Sequence, residues 1–298
     1  MRRKVFLFAL LVAAGVPAAA AGDDDPPPKT TITGAPAQVV NTGTATFSFT
    51  ADMSDVQFSC ALDSNPFDKC TSPWTYTGIP DGAHTFFVFG RKSGNDENPP
   101  VSWTWTVDTT PPTVGEARAA VWYRRMVLSW TPSADTNRVV VLRSTRKNKP
   151  PNVQVYSGAG HRYTDSRFDN SGYHRYSITG YDAAGNVSSS IGVTVRSSAL
   201  LLSPLDGARV RAKQPPVMRW RKAPRARYYN VQLWKGGRKV LSAWPLSNRF
   251  GLKGTWTFEG RSYRLRRGAY TWYVWPSFRP YPRVKYGPLL GQASFRVS

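Results

Sequence analysis

Residues 173–187 read YHRYSITGYDAAGNV, and this stretch contains both of the signals that decide the fold. From Tyr173 to Tyr181 apolar and polar residues alternate, which places Tyr176 and Ile178 on the same side of an extended strand. Asp182 to Asn186 then supplies the small, polar and glycine residues of a tight turn. The stretch therefore predicts antiparallel strands with one buried face.

The same alternation recurs elsewhere in the chain. Thr46 to Thr50 places Phe47 and Phe49 on one face, and Val101 to Val107 alternates apolar residues with serine and threonine. Helical periodicity is scarce outside the first 21 residues. Glycine and proline number 24 each, and β-branched and aromatic residues are plentiful. These patterns predict an all-β protein.

Two segments share a further pattern, in which an early strand ends on tryptophan and a late strand begins at tyrosine. The early strands are Val127 to Trp130 and Val217 to Trp220, and the late strands begin at Tyr176 and Tyr270. Residues 246–261 have no clear place in this pattern. We interpret residues 113–196 and 199–298 as a divergent repeat of two β-sandwich domains.

The first 21 residues have the order of a secretory signal peptide. Positive charges at residues 2–4 precede the apolar run Val5 to Val16, and small residues follow at Ala18 to Ala21. A retained membrane anchor is the alternative, but the run is shorter than the roughly 20 apolar residues that cross a bilayer. We therefore expect cleavage after residue 21 and no transmembrane span in the mature chain. The protein is then extracellular or associated with the cell surface, either released or retained.

Residues 22–30 contain three aspartates and three prolines and predict a disordered spacer. Residues 31–108 follow as a first domain with the only two cysteines of the chain, Cys60 and Cys70. An even number of cysteines in an exported protein indicates a disulfide. A hairpin centred near Asn65 would place these two cysteines opposite each other.

The first domain resembles the bacterial immunoglobulin-like repeats of exported actinobacterial proteins. The resemblance rests on FSCALD at 58–63, CTSP at 70–73, YTGIPDGAHT at 76–85 and WTWTVDTTPP at 103–112. It departs at Arg91 to Asn98, where such repeats usually carry an Asp and a Gly-Asn turn. The resemblance implies a bridge between Cys60 and Cys70 in a repeat module without an activity of its own.

Residues 113–196 resemble a fibronectin type III domain. Leu128-Ser129-Trp130 and the segment Tyr176 to Ser188 carry this resemblance. It implies that Trp130 is the core tryptophan and that the Tyr176 hydroxyl bonds to nearby backbone. Residues 199–298 are similar in outline, with Trp220, Tyr270 and Trp272 in comparable places.

Residues with a catalytic pattern are scarce. The three histidines, His84, His161 and His174, lie in predicted strands or a turn, without a nucleophile elbow beside them. Asp206 and Glu259 are the only carboxylates of the third domain, and nothing in the sequence pairs them. No metal-ligand spacing or phosphate-binding glycine loop is present. We therefore expect a protein that is not an enzyme, with no catalytic residue, cofactor or metal site.

The charge of the chain changes strongly from one end to the other. The net charge is +22, yet residues 23–108 hold 4 basic and 11 acidic residues, a net −7. Residues 109–198 hold 12 basic and 5 acidic residues, a net +7. Residues 199–298 hold 21 basic and 2 acidic residues, a net +19. A domain with such an excess of positive charge attracts polyanions.

Arginine dominates the basic set of the third domain and binds phosphate and carboxylate in bidentate fashion. The candidate polyanion-binding residues are Arg219, Arg221, Arg225, Arg227, Arg261, Arg264, Arg266 and Arg267. Outside a bacterium the partners of such a surface are anionic cell-wall polymers, acidic lipids, acidic polysaccharides or extracellular DNA. The sequence thus favours a secreted surface, adhesion or spacer protein that docks on anionic envelope polymers. Compositional drift towards arginine is the alternative.

Aromatic residues suggest a second function. The third domain holds 6 of the 11 tryptophans, and alternation in its Tyr270 strand places Tyr273 and Trp275 opposite the core face. Exposed rings at these positions would stack on sugars, as in a carbohydrate-binding accessory protein. In the alternative, Phe278, Tyr281 or Tyr286 folds over them.

Overall fold

The computed structural model describes residues 26–170, 172–280 and 283–298. All regular secondary-structure elements of these residues are β-strands. The described residues contain no helix that could cross a membrane. The chain forms two compact units, one ending at Val107 and the other running from Asp108 to Ser298. The predicted signal peptide and residues 22–25 of the predicted spacer lie outside the described residues.

The first unit contains one β-sandwich, called here the N-terminal sandwich. Its strands are β1 Thr30–Gly34, β2 Val39–Val40, β3 Ala45–Ala51, β4 Gln57–Leu62, β5 Asp68–Cys70, β6 Trp74–Tyr76, β7 Gly82–Lys92, β8 Asn95–Asp96 and β9 Val101–Val107. One sheet has the order β1-β3-β6 and the other the order β2-β9-β7-β4-β5, with β8 on β7. The predicted inward residues Phe47 and Phe49 are fully buried between these sheets, where Phe47 stacks on Phe86.

The disulfide between Cys60 and Cys70 is present, but the predicted hairpin register is wrong. Phe58 lies opposite Cys70, and Cys60 lies opposite Asp68. The two cysteines are therefore diagonal neighbours on one face, with their Cα atoms 5.8 Å apart. The turn begins at Asp63, whose φ of 55° is left-handed. The hairpin is therefore not centred at Asn65, and its register differs from the predicted one.

The predicted spacer ends earlier than residue 30. Pro28 and Thr30 are buried, and Lys29 exchanges two hydrogen bonds with Asp52, one to its backbone and one to its side chain. Residues 28–30 are therefore part of the N-terminal sandwich. They lead into β1, the edge strand that pairs with β3.

The second unit begins with a middle sandwich of seven strands. They are β10 Val114–Trp122, β11 Arg125–Pro132, β12 Arg138–Ser144, β13 Val153–Gly158, β14 Arg162–Asp165, β15 His174–Tyr181 and β16 Ile191–Val195. The sheets have the orders β10-β11-β14 and β13-β12-β15-β16. Trp130, Tyr176 and Ile178 are buried between them, as the alternation predicts.

The Tyr176 hydroxyl does not bond to backbone as the resemblance implies. It donates to the fully buried Asp165 at 2.7 Å, and Arg143 donates to both oxygens of the same carboxylate at 2.9 and 3.1 Å. The predicted corner bond is instead found in the next sandwich, where the Tyr270 hydroxyl donates to the carbonyl of Arg266. In the middle sandwich the buried carboxylate is the stronger acceptor.

The C-terminal sandwich has ten strands. They are β17 Leu201–Ser203, β18 Ala208–Val210, β19 Val217–Trp220, β20 Tyr228–Lys235, β21 Arg238–Ala243, β22 Arg249–Gly251, β23 Thr255–Phe258, β24 Arg261–Arg264, β25 Gly268–Ser277 and β26 Gly291–Val297. Its sheets have the orders β17-β19-β22 and β18-β26-β25-β20-β21, and β23 and β24 form a separate hairpin. Strand β18 runs parallel to β26, as β2 does to β9. This strand order therefore matches the N-terminal sandwich more closely than the middle one.

The middle and C-terminal sandwiches meet at Tyr123, in the turn between β10 and β11. Its hydroxyl donates to the Pro288 carbonyl at 3.0 Å, and its ring lies 6.1 Å from that of Phe278. Burial raises the pKa of Tyr123 to about 12, so the hydroxyl keeps its proton. This contact is one of several between the two sandwiches of the second unit.

Candidate functional site

A cleft of about 430 Å³ lies at one end of the C-terminal sandwich. It is bounded by the turn between β20 and β21, by the β23–β24 hairpin and by the segment that leads into β25. Its lining comprises Lys235, Arg238, Val240, Trp256, Arg261, Ser262, Tyr263, Arg264, Arg266 and Tyr270. Five of these ten residues are cations and three are aromatic. We call this site the cationic cleft.

Two glycines bring the first pair of cations together. Gly236 and Gly237 have φ values of 55° and 75°, as a two-residue hairpin turn requires. Lys235 and Arg238 consequently lie directly opposite each other across the first residues of the hairpin. Like charges at such a position repel each other, so an anion between them would relieve the repulsion.

The β23–β24 hairpin provides the aromatic wall. Trp256 lies opposite Tyr263, and their rings are stacked with 6.0 Å between the centroids. The Trp256 indole N–H donates to the Val240 carbonyl at 2.7 Å, which ties the hairpin to β21. Glu259 and Gly260 form its turn with positive φ. Arg261 and Arg264 therefore project from a braced two-stranded element rather than from a free loop.

Tyr270 fixes the third side of the cleft. Its hydroxyl accepts from the Arg266 backbone N–H at 3.1 Å and donates to the Arg266 carbonyl at 3.0 Å. The ammonium of Lys235 donates to the Arg267 carbonyl at 3.1 Å and lies 4.8 Å from the centre of the Tyr270 ring. One tyrosine thus positions both Arg266 and Lys235.

The cations of the C-terminal sandwich have no carboxylate partner among the residues that the structure describes. The arginine ion pairs among the described residues lie in the other two sandwiches. Examples are Arg91 with Asp96 and Arg143 with Asp165. Asp206 accepts from the backbone N–H of Ser294, and Glu259 lies exposed in the β23–β24 turn. The positive field of the cleft is therefore not neutralised from within the protein.

The structure brings only part of the predicted arginine set together. Arg261, Arg264 and Arg266 line the cationic cleft, and Arg267 adjoins it through its carbonyl. The other four are exposed at separate places: Arg219 opposite Arg249, Arg221 beside Arg196, Arg225 beside Lys222, and Arg227 in an apolar groove. The eight residues do not line one common site, because Arg219 lies on β19 in the other sheet and the remaining three lie in the segment between β19 and β20.

Sequence reasoning missed six residues of the cleft: Lys235, Arg238, Val240, Trp256, Ser262 and Tyr263. Residues 246–261 had no assigned place, yet Thr255 to Phe258 alternates and is followed by Glu-Gly, a turn signal. That signal was sufficient to predict the hairpin. The approach of the hairpin to the β20–β21 turn requires the three-dimensional fold.

Tyr273 and Trp275 lie on the outer face of the five-stranded sheet, as alternation predicts. Both are partly exposed, and their rings stack 5.7 Å apart with 19° between their planes. Beside them a chain of hydrogen bonds runs from Trp234 to Gln232, from Gln232 to Asn230 and from Asn230 to Ser242. The face thus combines aromatic rings with amide groups.

Of the predicted covers, Phe278 contacts Tyr123. Tyr286 contacts Tyr228 at one end of this face, opposite Ser277, and does not stack on Tyr273 or Trp275. Tyr281 lies outside the described residues. The aromatic face therefore remains partly open between the described side chains.

The histidines and acids have structural partners. His84 bonds to Asp63 and to the Pro80 carbonyl, and His174 bonds to the Asp169 carbonyl. Asp206 and Glu259 form no hydrogen bond with each other in the described structure. No group of three or more metal-ligating side chains occurs among the described residues.

Solved structures similar to this chain include two with fibronectin type III modules. Fibronectin(III)-like modules of Clostridium thermocellum CbhA match with 17% identity over 56% of this chain and 93% of theirs, with a TM-score of 0.37. A two-domain fibronectin type III segment of chicken tenascin matches with 14% identity over 58% of this chain and 99% of its own, with a TM-score of 0.27. No family model and no curated protein matches the sequence.

Proposed function

We propose that this chain is an exported, non-enzymatic surface protein whose C-terminal sandwich docks on an anionic polymer of the cell envelope. The observation that carries the proposal is the cationic cleft, in which five cations face one cavity with no carboxylate in its lining. The N-terminal and middle sandwiches act as spacers in this proposal.

The composition of the cleft favours a chain of phosphate or carboxylate groups. Arginine binds such groups through two parallel N–H donors, and a concave surface of one charge sign concentrates counter-ions. Arg261, Arg264 and Arg266 supply guanidinium groups within one cavity, and Lys235 and Arg238 supply charge at its rim. A polymer offers several anionic groups at once, which matches the spread of donors better than a single ion does.

Hydrolysis is a weaker explanation of the same cavity. A nucleophile needs an adjacent base, and glycoside hydrolysis needs two carboxylates near the scissile bond. The lining of the cleft contains no histidine and no acid. Its chemistry is that of charge recognition.

Export rests on the sequence of residues 1–21 and is supported by the disulfide. Cys60 and Cys70 form the bridge within the N-terminal sandwich. Disulfides of this kind persist in oxidising compartments and are rare in the cytosol.

Carbohydrate binding is the second candidate, because of one specific arrangement. The stacked rings of Tyr273 and Trp275 lie beside Gln232, whose amide is oriented by Asn230 and Trp234. Aromatic rings bind the apolar faces of sugars, and oriented amides bind their hydroxyls. This site lies on the sheet face and does not share a residue with the cationic cleft.

Salt elution from isolated cell walls distinguishes the two candidates. Docking through the cleft is eluted by high salt, since screening weakens exposed charge contacts. Stacking on sugar rings resists salt and is competed by a soluble neutral glycan. We expect elution by salt alone.

Matched variants locate the binding surface. The triple variant R261Q/R264Q/R266Q removes three charges from the cleft, whereas R209Q/R211Q/R296Q removes three exposed charges from the β18–β26 edge of the sheet. Only the first should lose wall binding. Equal loss in both would attribute binding to net charge and would overturn the cleft proposal, and loss only in Y273A/W275A would favour the glycan candidate.

A further inference from the structure

A second concave surface of the C-terminal sandwich is apolar rather than charged. A groove of about 720 Å³ is lined by Arg227, Tyr228, Trp244, Leu246, Pro280, Val284 and Tyr286. Leu246 is 83% exposed and Trp244 is 57% exposed, which makes Leu246 the most exposed large hydrophobic residue of the described chain. Val284 and Tyr286 are exposed as well. Such a cluster in a soluble chain marks an interaction site.

Two polar atoms beside the protruding apolar side chains have partners inside the protein. The Trp244 indole N–H donates to the Tyr286 hydroxyl at 2.7 Å. Pro245, between Trp244 and Leu246, has no N–H, and its carbonyl accepts from the Tyr229 backbone at 3.0 Å. Trp244 and Leu246 can therefore leave water without exposing an unsatisfied donor to an apolar medium, which would be costly.

The groove is held in shape by neighbouring residues. The rings of Tyr286 and Tyr228 meet edge to face at 6.3 Å. Tyr286 also pairs with Ser277 at the end of β25. The protruding Trp244 and Leu246 thus stand on a fixed base, and their exposure is a property of the folded sandwich.

The charges around the groove are all positive. Arg227 lies in its lining, and Arg279, Arg283 and Lys285 are exposed in the segment that contributes Pro280 and Val284. The only two acids of the C-terminal sandwich lie elsewhere, Asp206 at Ser294 and Glu259 in the β23–β24 turn. An occupant must therefore offer apolar and anionic groups together.

We propose that this groove is a membrane-contact site that places Trp244 and Leu246 at the boundary between headgroups and acyl chains of an anionic bilayer. Tryptophan is enriched at this boundary, and basic residues beside an apolar surface are attracted to acidic headgroups. A free polyanion has no apolar part to cover Leu246. A second copy of the chain would bring the same cations against each other in a twofold contact.

This inference goes beyond docking on polymers, because it uses a different surface and a different ligand. The membrane site shares no residue with the cationic cleft. Either proposal can fail while the other holds.

The test measures binding of the mature chain to vesicles of phosphatidylcholine and phosphatidylglycerol in a two-to-one ratio, with pure phosphatidylcholine vesicles as reference. We expect binding to the mixed vesicles and quenching of tryptophan fluorescence by brominated acyl chains. The variant W244S/L246S should bind about tenfold more weakly, and W244F should lose most of the quenching.

The matched control is L205S/V217S, which removes two other exposed apolar side chains of the same sandwich, 62% and 41% exposed. It should bind vesicles like the wild type. Circular dichroism checks that every variant is folded. Equal vesicle binding by W244S/L246S and the wild type would overturn the proposal. A dimer that dissociates in W244S/L246S, without vesicle binding by the wild type, would overturn it in favour of self-association.

Discussion

Trp256 and Tyr263 face each other across the β23–β24 hairpin with their rings stacked at 6.0 Å and only 10° between their planes. The same tryptophan bonds to the Val240 carbonyl at 2.7 Å. This pair therefore joins the hairpin internally and connects it to the five-stranded sheet. The position of Arg261 and Arg264 depends on it.

Trp256 should contribute both to the stability of the C-terminal sandwich and to the shape of the cationic cleft. Trp256→Ala removes the stack and the bond to Val240, so it should lower the free energy of unfolding by about 2 kcal/mol. It should also weaken polyphosphate binding, because the hairpin carries two of the cleft arginines. Trp256→Phe keeps a ring and should cost about 1 kcal/mol. Urea denaturation and a binding titration measure both effects, and an alanine variant with unchanged binding would show that the hairpin does not shape the site.

Tyr270 provides a second test of the cleft geometry. Tyr270→Phe loses both hydrogen bonds to Arg266 and should destabilise the sandwich by about 1–2 kcal/mol. Polyphosphate affinity should fall by a few fold, since Arg266 loses its support while its charge remains. Tyr273→Phe, on the outer face of the same strand, is the matched control. A similar loss of affinity in the control would contradict the assigned role.

The buried carboxylate of the middle sandwich gives a stability prediction. Asp165→Asn leaves Arg143 partly buried without a counter-ion and weakens the acceptor of the Tyr176 hydroxyl. We expect a loss of about 3 kcal/mol in the unfolding transition of the second unit. Glu116→Gln, at the exposed pair with Arg118, should change it by less than about 0.5 kcal/mol. If Asp165→Asn lowered the free energy of unfolding by as little as Glu116→Gln, the bonds of Asp165 to Arg143 and Tyr176 would have no structural role.

His84 predicts a pH dependence of the N-terminal sandwich. Burial lowers the pKa of its imidazole, but the bonds to Asp63 and to the Pro80 carbonyl outweigh burial, so the pKa lies above 6.5. A raised pKa means that the charged imidazole stabilises the fold fully below the unfolded value of about 6.5. That stabilisation is lost as the pH rises through the folded pKa.

A proton NMR titration of His84 measures this shift directly. Asp63→Asn should lower the pKa of His84 and flatten the pH dependence of unfolding above a pH of about 6.5. His161→Gln is the control, because that histidine lies in the middle sandwich. A pKa of His84 at or below 6.5 in the wild type would contradict the assigned ion pair.

Periodicity in the sequence was sufficient to predict most of the core. Phe47, Phe49, Tyr176 and Ile178 were placed on inner faces because alternation decides the face whenever one side of a sheet is buried. The register of β4 and β5 could not be obtained in this way, because it depends on where the turn at Asp63 begins. Which cations share a cavity depends on contacts between distant segments, such as Trp256 with Val240.

The central claim is that charges in one cleft, rather than the total charge of the chain, bind the anionic polymer. Its most direct test is the dissociation constant for long-chain inorganic polyphosphate, measured over a series of salt concentrations. R261Q/R264Q/R266Q should weaken binding by at least about thirtyfold and reduce the slope of log Kd against log salt by about 3. R209Q/R211Q/R296Q should leave both within about twofold of the wild type. If the two triple variants lose affinity equally, polymer binding belongs to the overall charge of the sandwich and the cleft has no special role.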